Sequence, residues 1–209
     1  CDYHAITVRN TDGFTLTGNN IMAPRYMAIE VWQSSNGTIT GNRMSSATNT
    51  EQMYYVKGSS DIVFSGNIVN CTGNYRVVDL DGSGANYRCV ISNNNFNYSG
   101  TSNVLMLGST GTNDYFQIKG NIFRNNTSNG TKRGVSFTSI TNSDIEGNSF
   151  LCASGQNAAL TSGTCTATRF QNNILLGNLS VDTGTTGLVF TLFGTAAPTA
   201  AGYAVGSRV

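Results

Sequence analysis

The chain has 209 residues, of which 11% are charged, and its formal net charge is +1. This balance provides no basic stripe of the kind that nucleic-acid backbones require, so nucleic acid is excluded as a partner class. No run of about 18 apolar residues occurs, so the sequence predicts no membrane span. The length suits one domain with a continuous core.

A short phrase recurs along the chain: an apolar residue, a polar residue, Gly or Asn, an Asn, one further residue and an apolar residue. Its Asn recurs at intervals of 23, 25, 27, 27, 27 and 25 residues. A fixed period of this length is typical of a solenoid, in which each repeat buries its apolar side against the next. The seven copies begin at Leu16, Ile39, Phe64, Ile91, Ile118, Ile145 and Phe170.

A second strand is predicted upstream of each phrase. Apolar residues alternate with others in these segments, as Ile29 and Val31 do, which is typical of strands with one buried face. The segments are Ala5–Arg9, Met27–Trp32, Tyr54–Lys57, Val77–Asp81, Val104–Gly108, Gly134–Thr138, Ala158–Thr161 and an eighth at Gly187–Leu192.

These features predict an all-β fold, a parallel β-helix of about seven to eight coils with an Asn ladder. Successive coils lie about 4.8 Å apart, so an Asn repeated in each coil can hydrogen-bond to the next. Gly or Asn before it permits the positive φ that a sharp bend requires.

The repeats resemble the pectate-lyase-like right-handed β-helix superfamily over nearly the whole chain. The stretch from Phe193-Gly194-Thr195 to Tyr203-Ala204-Val205-Gly206 resembles one that follows the β-helix in phage tailspikes. We therefore expect a β-helix over residues 1–192 and a C-terminal extension over 193–209. Because the chain starts at Cys1 almost directly in a strand, we expect a fragment of a longer protein.

The resemblance implies an extracellular homotrimeric spike on a virion surface. Such a spike binds, and often cleaves, a bacterial surface polysaccharide such as a capsule or O-antigen. The resemblance does not identify the residues that act.

The outward positions of the upstream strands form two columns. The first runs Thr7, Glu30, Tyr55, Asp79, Met106, Ser136, Ala159, and the second Arg9, Trp32, Lys57, Asp81, Gly108, Thr138, Thr161. The first four coils carry three carboxylates, two cations, the single Trp and a Tyr. In a chain so poor in charge, this clustering is the strongest functional signal.

We hypothesise that Glu30, Asp79 and Asp81 include the acid and base of an inverting glycoside hydrolase. Two coils separate Glu30 from Asp79, roughly 9–10 Å between backbones, and Asp79 and Asp81 are roughly 6.5–7 Å apart. Inverting enzymes keep their two carboxyl groups about 6.5–9.5 Å apart. Retaining enzymes need a shorter separation of about 5–5.5 Å, but the reach of the side chains blurs the distinction between the two classes.

The neighbouring residues are predicted to bind substrate. Trp32 offers an apolar face for a sugar ring, with Tyr55 as a second platform or hydrogen-bond donor. Arg9 and Lys57 would bind acidic sugars or adjust carboxylate pKa values. Longer loops around Gly82–Asn86 and Gly108–Asn113 are candidates for groove walls.

Several other interpretations stay open. A polysaccharide lyase would use the three carboxylates as calcium ligands and Arg9 or Lys57 near its base. A non-enzymatic adhesin would bind glycan through Trp32 and Tyr55, and a shaft fragment would have its groove elsewhere. The carboxylates could also be plain surface groups in weak ion pairs with Lys57.

The cysteines and the histidine are expected to be structural. Five cysteines form no CxxC motif, so zinc is not expected, and no other metal or cofactor is predicted. Burial as small apolar residues is favoured over a Cys71–Cys89 or Cys152–Cys165 disulfide. For His4, solvent exposure or core packing is favoured over catalysis.

Overall fold

The computed structural model describes residues 4–47, 51–72, 76–100, 105–107, 113–126, 133–152, 157–162, 165–176, 178–181 and 188–193. These residues form an all-β solenoid in which strands pair in parallel with strands of the neighbouring coils. Among them, no helix is long or apolar enough to cross a membrane. The strands stack into three faces.

The first face is a sheet of eight parallel strands. Its strands contain the alternating segments, and their inward residues Ile29, Val31, Val78 and Leu80 are buried. The strands are Ile6–Arg9, Ile29–Trp32, Tyr54–Lys57, Val78–Asp81, Leu105–Leu107, Arg133–Thr138, Asn157–Ser162 and Asn178–Val181.

The second and third faces form one 17-stranded sheet that bends at the Asn phrase. Second-face strands are Asp12–Thr17, Ser35–Thr40, Ser60–Ser65, Asn86–Tyr87, Val90–Ser92, Asn113–Asp114, Gln117–Lys119, Ile140–Thr141, Asp144–Glu146 and Leu188–Phe193. Third-face strands are Asn20–Met22, Arg43–Ser46, Ile68–Cys71, Asn95–Tyr98, Ile122–Asn125 and Ser149–Cys152. The strand Thr168–Leu176 runs through both faces.

The predicted Asn ladder is confirmed. Oδ1 of Asn67 accepts hydrogen bonds from the backbone N–H and the side-chain amide of Asn42, at 2.9 and 3.0 Å. The Asn67 amide in turn donates to the carbonyl of Ile39 and to Asn94. Positive φ occurs at the preceding residue, for example 62° at Gly66 and 55° at Asn93. The ladder provides hydrogen-bond partners for the buried polar groups of the bend, so its role is structural.

A second ladder at the corner between the first and second faces was not predicted. The Ser34 backbone N–H donates to Oγ of Ser59, whose own N–H donates to Oδ1 of Asn86. The Asn86 amide then donates to Oδ1 of Asn113. The next position in register is the apolar Ile140, and Nδ2 of Asn113 is left without a partner. Because this ladder changes from Ser to Asn and then ends at Ile140, no single residue type repeats in every coil of the sequence.

Stacked aromatic rings fill the core. The centroids of Phe96, Phe123 and Phe150 follow one another at 5.0 and 5.1 Å with nearly parallel planes. Tyr54, Phe64 and Phe170 extend this stack. Tyr54 and Phe64 stack within one coil, and from Phe64 to Phe170 each ring lies on the ring of the next coil, so the apolar interior is continuous along the solenoid.

Two details of the predicted first face are wrong. Its eighth strand is Asn178–Val181, whereas Leu188–Phe193 pairs with Thr168–Leu176 on the second face. The seventh strand pairs one residue out of the predicted register, with Leu160 beside Ser136 and Ser162 beside Thr138. Ala159 and Thr161 therefore do not continue the outward columns, because a shift of one residue exchanges the two sides of a strand.

The cysteines match the structural expectation. Cys71, Cys89, Cys152 and Cys165 are buried thiols, and neither suggested disulfide is formed among them. Burial raises the pKa of the Cys89 thiol to about 12 and that of Cys152 to about 11. Residues 194–209 lie outside the described part of the chain, so the boundary at 192/193 stays a prediction.

Candidate functional site

The first four coils align the candidate residues as the two columns predict. Glu30 pairs in register with Thr7 and Tyr55, and Tyr55 pairs with Asp79. The second column is confirmed likewise and runs Arg9, Trp32, Lys57, Asp81. Met106 continues the first column, although its side chain lies outside the described set.

Glu30 is held by two cationic or ionisable side chains from the first coil. The Arg9 guanidinium donates from Nε and Nη2, and its shortest bond is 2.9 Å to Oε2. Nδ1 of His4 lies 3.1 Å from the same oxygen. Only 3% of the Glu30 surface is exposed. A buried carboxylate of this kind requires such paired and hydrogen-bonded surroundings.

Asp79 is held in a comparable way. Nη1 of Arg76 lies 2.5 Å from Oδ2, and Nε2 of Gln52 donates to the same oxygen at 2.9 Å. Asp79 is 2% exposed, and its Oδ1 has no hydrogen-bond partner. Oε1 of Gln52 is likewise buried without a partner. Asp79 and Gln52 therefore form a buried polar pair with two unused acceptors.

Asp81 is bound by residues of the adjacent coil and of the following turn. The Tyr55 hydroxyl donates to Oδ2 at 2.7 Å, the Ser83 backbone N–H donates to Oδ1 at 2.8 Å, and Nζ of Lys57 lies 3.6 Å from Oδ2. Partial burial opposes these contacts, but on balance the pKa of Asp81 is lowered. Asp81 is therefore a carboxylate at neutral pH, which does not suit a general acid.

Trp32 lies between two cations. The Arg9 guanidinium carbon is 4.6 Å from the ring centroid, and the Lys57 ammonium is 5.4 Å from it. Arg9 and Lys57 come from the coils on either side of Trp32. Cation–π contacts of this kind hold the indole in place. A sugar ring that stacks on Trp32 would have to displace one of these cations.

The two columns predict an open row of outward side chains, but Glu30 and Asp79 are buried. Residues that precede the strands cover them. His4, Gln52 and Arg76 each stand two residues before a first-face strand, in equivalent positions of coils one, three and four. Sequence reasoning set His4 aside and missed Gln52 and Arg76. The available signal was a third polar column at the entrance to these strands.

One of the two longer loops lies against the site. Residues Gly82–Gly84 form a 3-10 turn directly after Asp81. The turn packs closely on Gly58, which follows Lys57, so a methyl group added at Gly84 would lie 2.7 Å from the Gly58 Cα. The turn therefore holds Asp81 in place and does not project from the strand as the wall of a groove. Gly108–Thr112 of the other loop lies outside the described residues.

The comparisons identify the family. Residues 2–193 match the sequence profile of a family described as "Periplasmic copper-binding protein (NosD)". The chain belongs to this NosD family. No curated protein sequence matches the chain. The match supports the β-helix part of the resemblance drawn from the repeats and gives no support to its tailspike part.

Two solved structures have a similar fold. Both are mutants of the periplasmic alginate epimerase AlgG: T265N, with 12% identity and a TM-score of 0.59, and T265N T268M, with 13% identity and a TM-score of 0.61. Each alignment covers 89% of this chain and 47% of the AlgG chain. The NosD-family chain thus spans about half the length of these structures. At this identity, the likeness concerns the fold.

The described residues do not fit the copper named in the family description. Copper favours imidazole, thiolate and thioether ligands. The chain's single histidine is engaged with Glu30, and the described cysteines are buried thiols, two of them with a raised pKa. Met22 is exposed, but on the third face. Within the described ranges, no three His, Cys, Asp or Glu residues are close enough to hold a metal, and this includes the calcium set considered from the sequence.

Proposed function

We propose that this NosD-family chain is an exported, secreted or periplasmic protein that binds a polysaccharide on the first face of its β-helix. The observation that carries the proposal is the in-register cluster of charged and aromatic side chains on coils one to four. Carbohydrate sites combine apolar or aromatic surface with a few fixed polar groups, and this cluster has both. The family description and the AlgG titles support the location, in place of a virion surface.

The ion pairs favour binding over inverting hydrolysis. Hydrolysis by Glu30, Asp79 and Asp81 requires one of the three to hold a proton as general acid. Glu30 and Asp79 each contact an arginine, and the pKa of Asp81 is lowered. Polysaccharide binding requires none of the three carboxylates to change its protonation state, so these ion pairs are compatible with binding as they stand. Hydrolysis is a finer proposal that product analysis tests.

A specific contact favours a second candidate, proton abstraction from an acidic sugar. Glu30 orients the His4 imidazole through the 3.1 Å contact, as a carboxylate orients a general base. Arg9, whose side chain is 48% exposed, would neutralise the sugar carboxylate. His4 would take the proton from the carbon beside that carboxylate. Delivery of a proton from solvent to the opposite side of that carbon inverts the centre. If instead the glycosidic C–O bond on the neighbouring carbon breaks, a C=C bond forms, the leaving oxygen takes up a proton, and the product is that of a lyase.

Binding to a panel of bacterial capsules and exopolysaccharides tests the proposal. Glu30→Gln and Asp81→Asn remove a charge from the first face, and Trp32→Ala removes its indole. We expect each to weaken binding by about tenfold or more, roughly 1.4 kcal/mol, because Trp32 is a direct contact and the two carboxylates hold Arg9 and Tyr55 in place beside it. Asp144→Asn is the matched control, since Asp144 pairs with Arg169 on the second face.

Product analysis separates the chemistries. New reducing ends indicate hydrolysis, an unsaturated product that absorbs in the ultraviolet indicates a lyase, and solvent deuterium incorporated beside the carboxylate without cleavage indicates an epimerase. Unchanged polysaccharide indicates binding alone. If the first-face variants bind as the wild type does, the site lies elsewhere.

The seven to eight coils and the homotrimer stay predictions, and light scattering tests the trimer.

A further inference from the structure

The third face has an unusual composition. Seven strands contribute two outward residues each, in register from the first coil to the seventh. One column is Asn20, Arg43, Ile68, Asn95, Ile122, Ser149, Ile174, and the other is Met22, Ser45, Asn70, Asn97, Arg124, Leu151, Leu176. None of these residues is Asp or Glu. The carboxylates of the first and second faces have no counterpart here.

Two arginines on this face lack an acidic partner. On the other faces Arg9, Arg76, Arg88 and Arg169 each contact a carboxylate. Among the described residues, Arg43 and Arg124 contact none. Nη1 of Arg124 donates to Asn97 at 3.1 Å, and the Asn97 amide donates to Asn70 at 2.9 Å. The face therefore presents two uncompensated positive charges, one of them held by a row of amides.

Exposed apolar side chains lie beside these charges. Of the seven large apolar residues found exposed in the described ranges, five are on the third face: Met22, Ile68, Ile122, Ile174 and Leu176. A shallow cleft of about 310 Å³ adjoins its C-terminal half, lined by Arg124, Asn125, Asn126, Leu151, Cys152 and Leu176. Arg124 thus contributes both to the face and to the wall of the cleft. A strip that combines several exposed large apolar side chains with arginines that have no acidic partner indicates a binding site.

The dimensions of the face favour a linear ligand over a second protein. Seven strands spaced about 4.8 Å apart span roughly 29 Å, and the two columns are roughly 7 Å apart. The resulting strip has an area on the order of 200 Å², whereas stable protein complexes bury about 800 Å² on each partner. A narrow strip along the rod matches an extended polymer chain.

We propose that the third face is a second binding surface, for a linear polysaccharide that carries carboxylate groups. Arg43 and Arg124 are three coils apart and in different columns, roughly 16 Å between their backbones, and each can bind a sugar carboxylate through its planar guanidinium. Ile68 and Ile122 bury the C–H faces of the sugar rings between them. This surface is separate from the first face and goes beyond the function proposed for it.

Binding to polygalacturonate, with neutral dextran of similar size as the reference polymer, tests this inference. We expect the wild-type chain to bind polygalacturonate but not dextran, and to bind it more weakly as salt rises, because exposed charge interactions are screened. The double variant Arg43→Ala/Arg124→Ala should bind at least about tenfold more weakly. The matched control Arg88→Ala/Arg169→Ala removes two exposed arginines from the second face and should bind as the wild type does.

Further measurements distinguish binding at the third face from binding at the first face, and test the alternative that the third face binds a second copy of the chain. Hydrogen–deuterium exchange with polygalacturonate locates the bound polymer: added protection is expected in third-face strands such as Arg43–Ser46 and Ile122–Asn125 whether or not first-face strands are protected, so failure of the first-face proposal is distinguishable from failure of this one. Absence of binding by the wild type, equal loss in the control, or full binding by the Arg43/Arg124 variant would overturn the inference. A change of oligomeric state in that variant, measured by light scattering, would also overturn it, because the face would then be an interface between copies.

Discussion

Tyr55 connects the three carboxylates of the first face. Burial raises the pKa of its phenol, and the hydrogen bond to Asp81 and the negative charges of Asp81, Asp79 and Glu30 raise it further. Tyr55 is therefore a neutral donor across the physiological pH range. Partial burial would by itself raise the pKa of Asp81, but Ser83, Tyr55 and Lys57 together lower it.

Replacement of Tyr55 by Phe should raise the pKa of Asp81 toward the ordinary value of about 3.9. A lowered folded-state pKa stabilises the protein above the unfolded-state pKa, and this stabilisation is lost as pH falls through the folded-state value. Tyr55→Phe should therefore reduce stability at pH 7, and its charge-dependent part should fade below about pH 4. NMR titration of the Asp81 carboxyl carbon and urea unfolding measure both effects. Tyr115→Phe, at an exposed tyrosine, is the control, and an unchanged Asp81 titration would contradict the assignment.

The Asn ladder should be intolerant of a single truncation. Asn94→Ala removes the acceptor of the Asn67 backbone and side-chain N–H groups and the donor to Phe64 and Asn121. Several buried polar groups lose their partners together, so we expect a loss of about 3 kcal/mol or more in the free energy of unfolding. Exposed Asn20→Ala should change it by less than about 0.5 kcal/mol. Denaturant unfolding of both variants measures the difference, and equal stabilities would contradict the role of the ladder.

At the scale of elements, the turn Gly82–Gly84 fixes the end of the strand that carries Asp81. Gly84→Ala would bring a methyl group to 2.7 Å from the Gly58 Cα, which is backbone and cannot rotate away. We expect the turn to lift and the protein to lose about 1–3 kcal/mol of stability. Thermal unfolding measures this loss, with exposed Ser99→Ala as the control. Wild-type stability in Gly84→Ala would mean that the close approach is not needed.

Strand positions on the first face could be predicted because burial of one side imposes alternation. The register of Glu30, Tyr55 and Asp79 followed from the Asn intervals, since each coil adds one period. The covering of Glu30 and Asp79 could not be predicted, because it depends on how far the side chains of His4, Gln52 and Arg76 reach around a corner. The eighth strand was misassigned because alternation is the same on every face of a solenoid and does not identify the face.

At the scale of the whole molecule, three faces of different chemistry share one core. The first carries buried ion pairs, the second carries exposed cross-coil ion pairs such as Arg169 with Asp144, and the third carries no acid among its outward positions. The ion pairs Arg9–Glu30 and Arg76–Asp79 lie on the first face and Arg88–Asp61 and Arg169–Asp144 on the second, so a charge substitution on one face leaves the pairs of the other in place. This independence allows the two proposed binding surfaces to be tested separately.

The positions of the histidine and cysteine side chains, which are the usual ligands of copper, lead to a prediction about copper binding. We expect no stoichiometric binding of Cu(I) or Cu(II), because the described cysteines are buried thiols and the single histidine contacts Glu30. Inductively coupled plasma mass spectrometry after dialysis measures the bound metal. His4→Ala is the control for weak binding at the imidazole. One equivalent of copper retained by both proteins would show that this account of the donors is wrong.

Hydrogen–deuterium exchange with and without the polysaccharide that the chain binds tests the central claim most directly. If the first face holds the glycan, protection should increase in the peptides that contain Ile29–Trp32, Tyr54–Lys57 and Val78–Asp81. Third-face peptides such as Ile68–Cys71 should stay unchanged with a neutral glycan. Protection confined to the second or third face, or no added protection in the three first-face strands, would contradict the account.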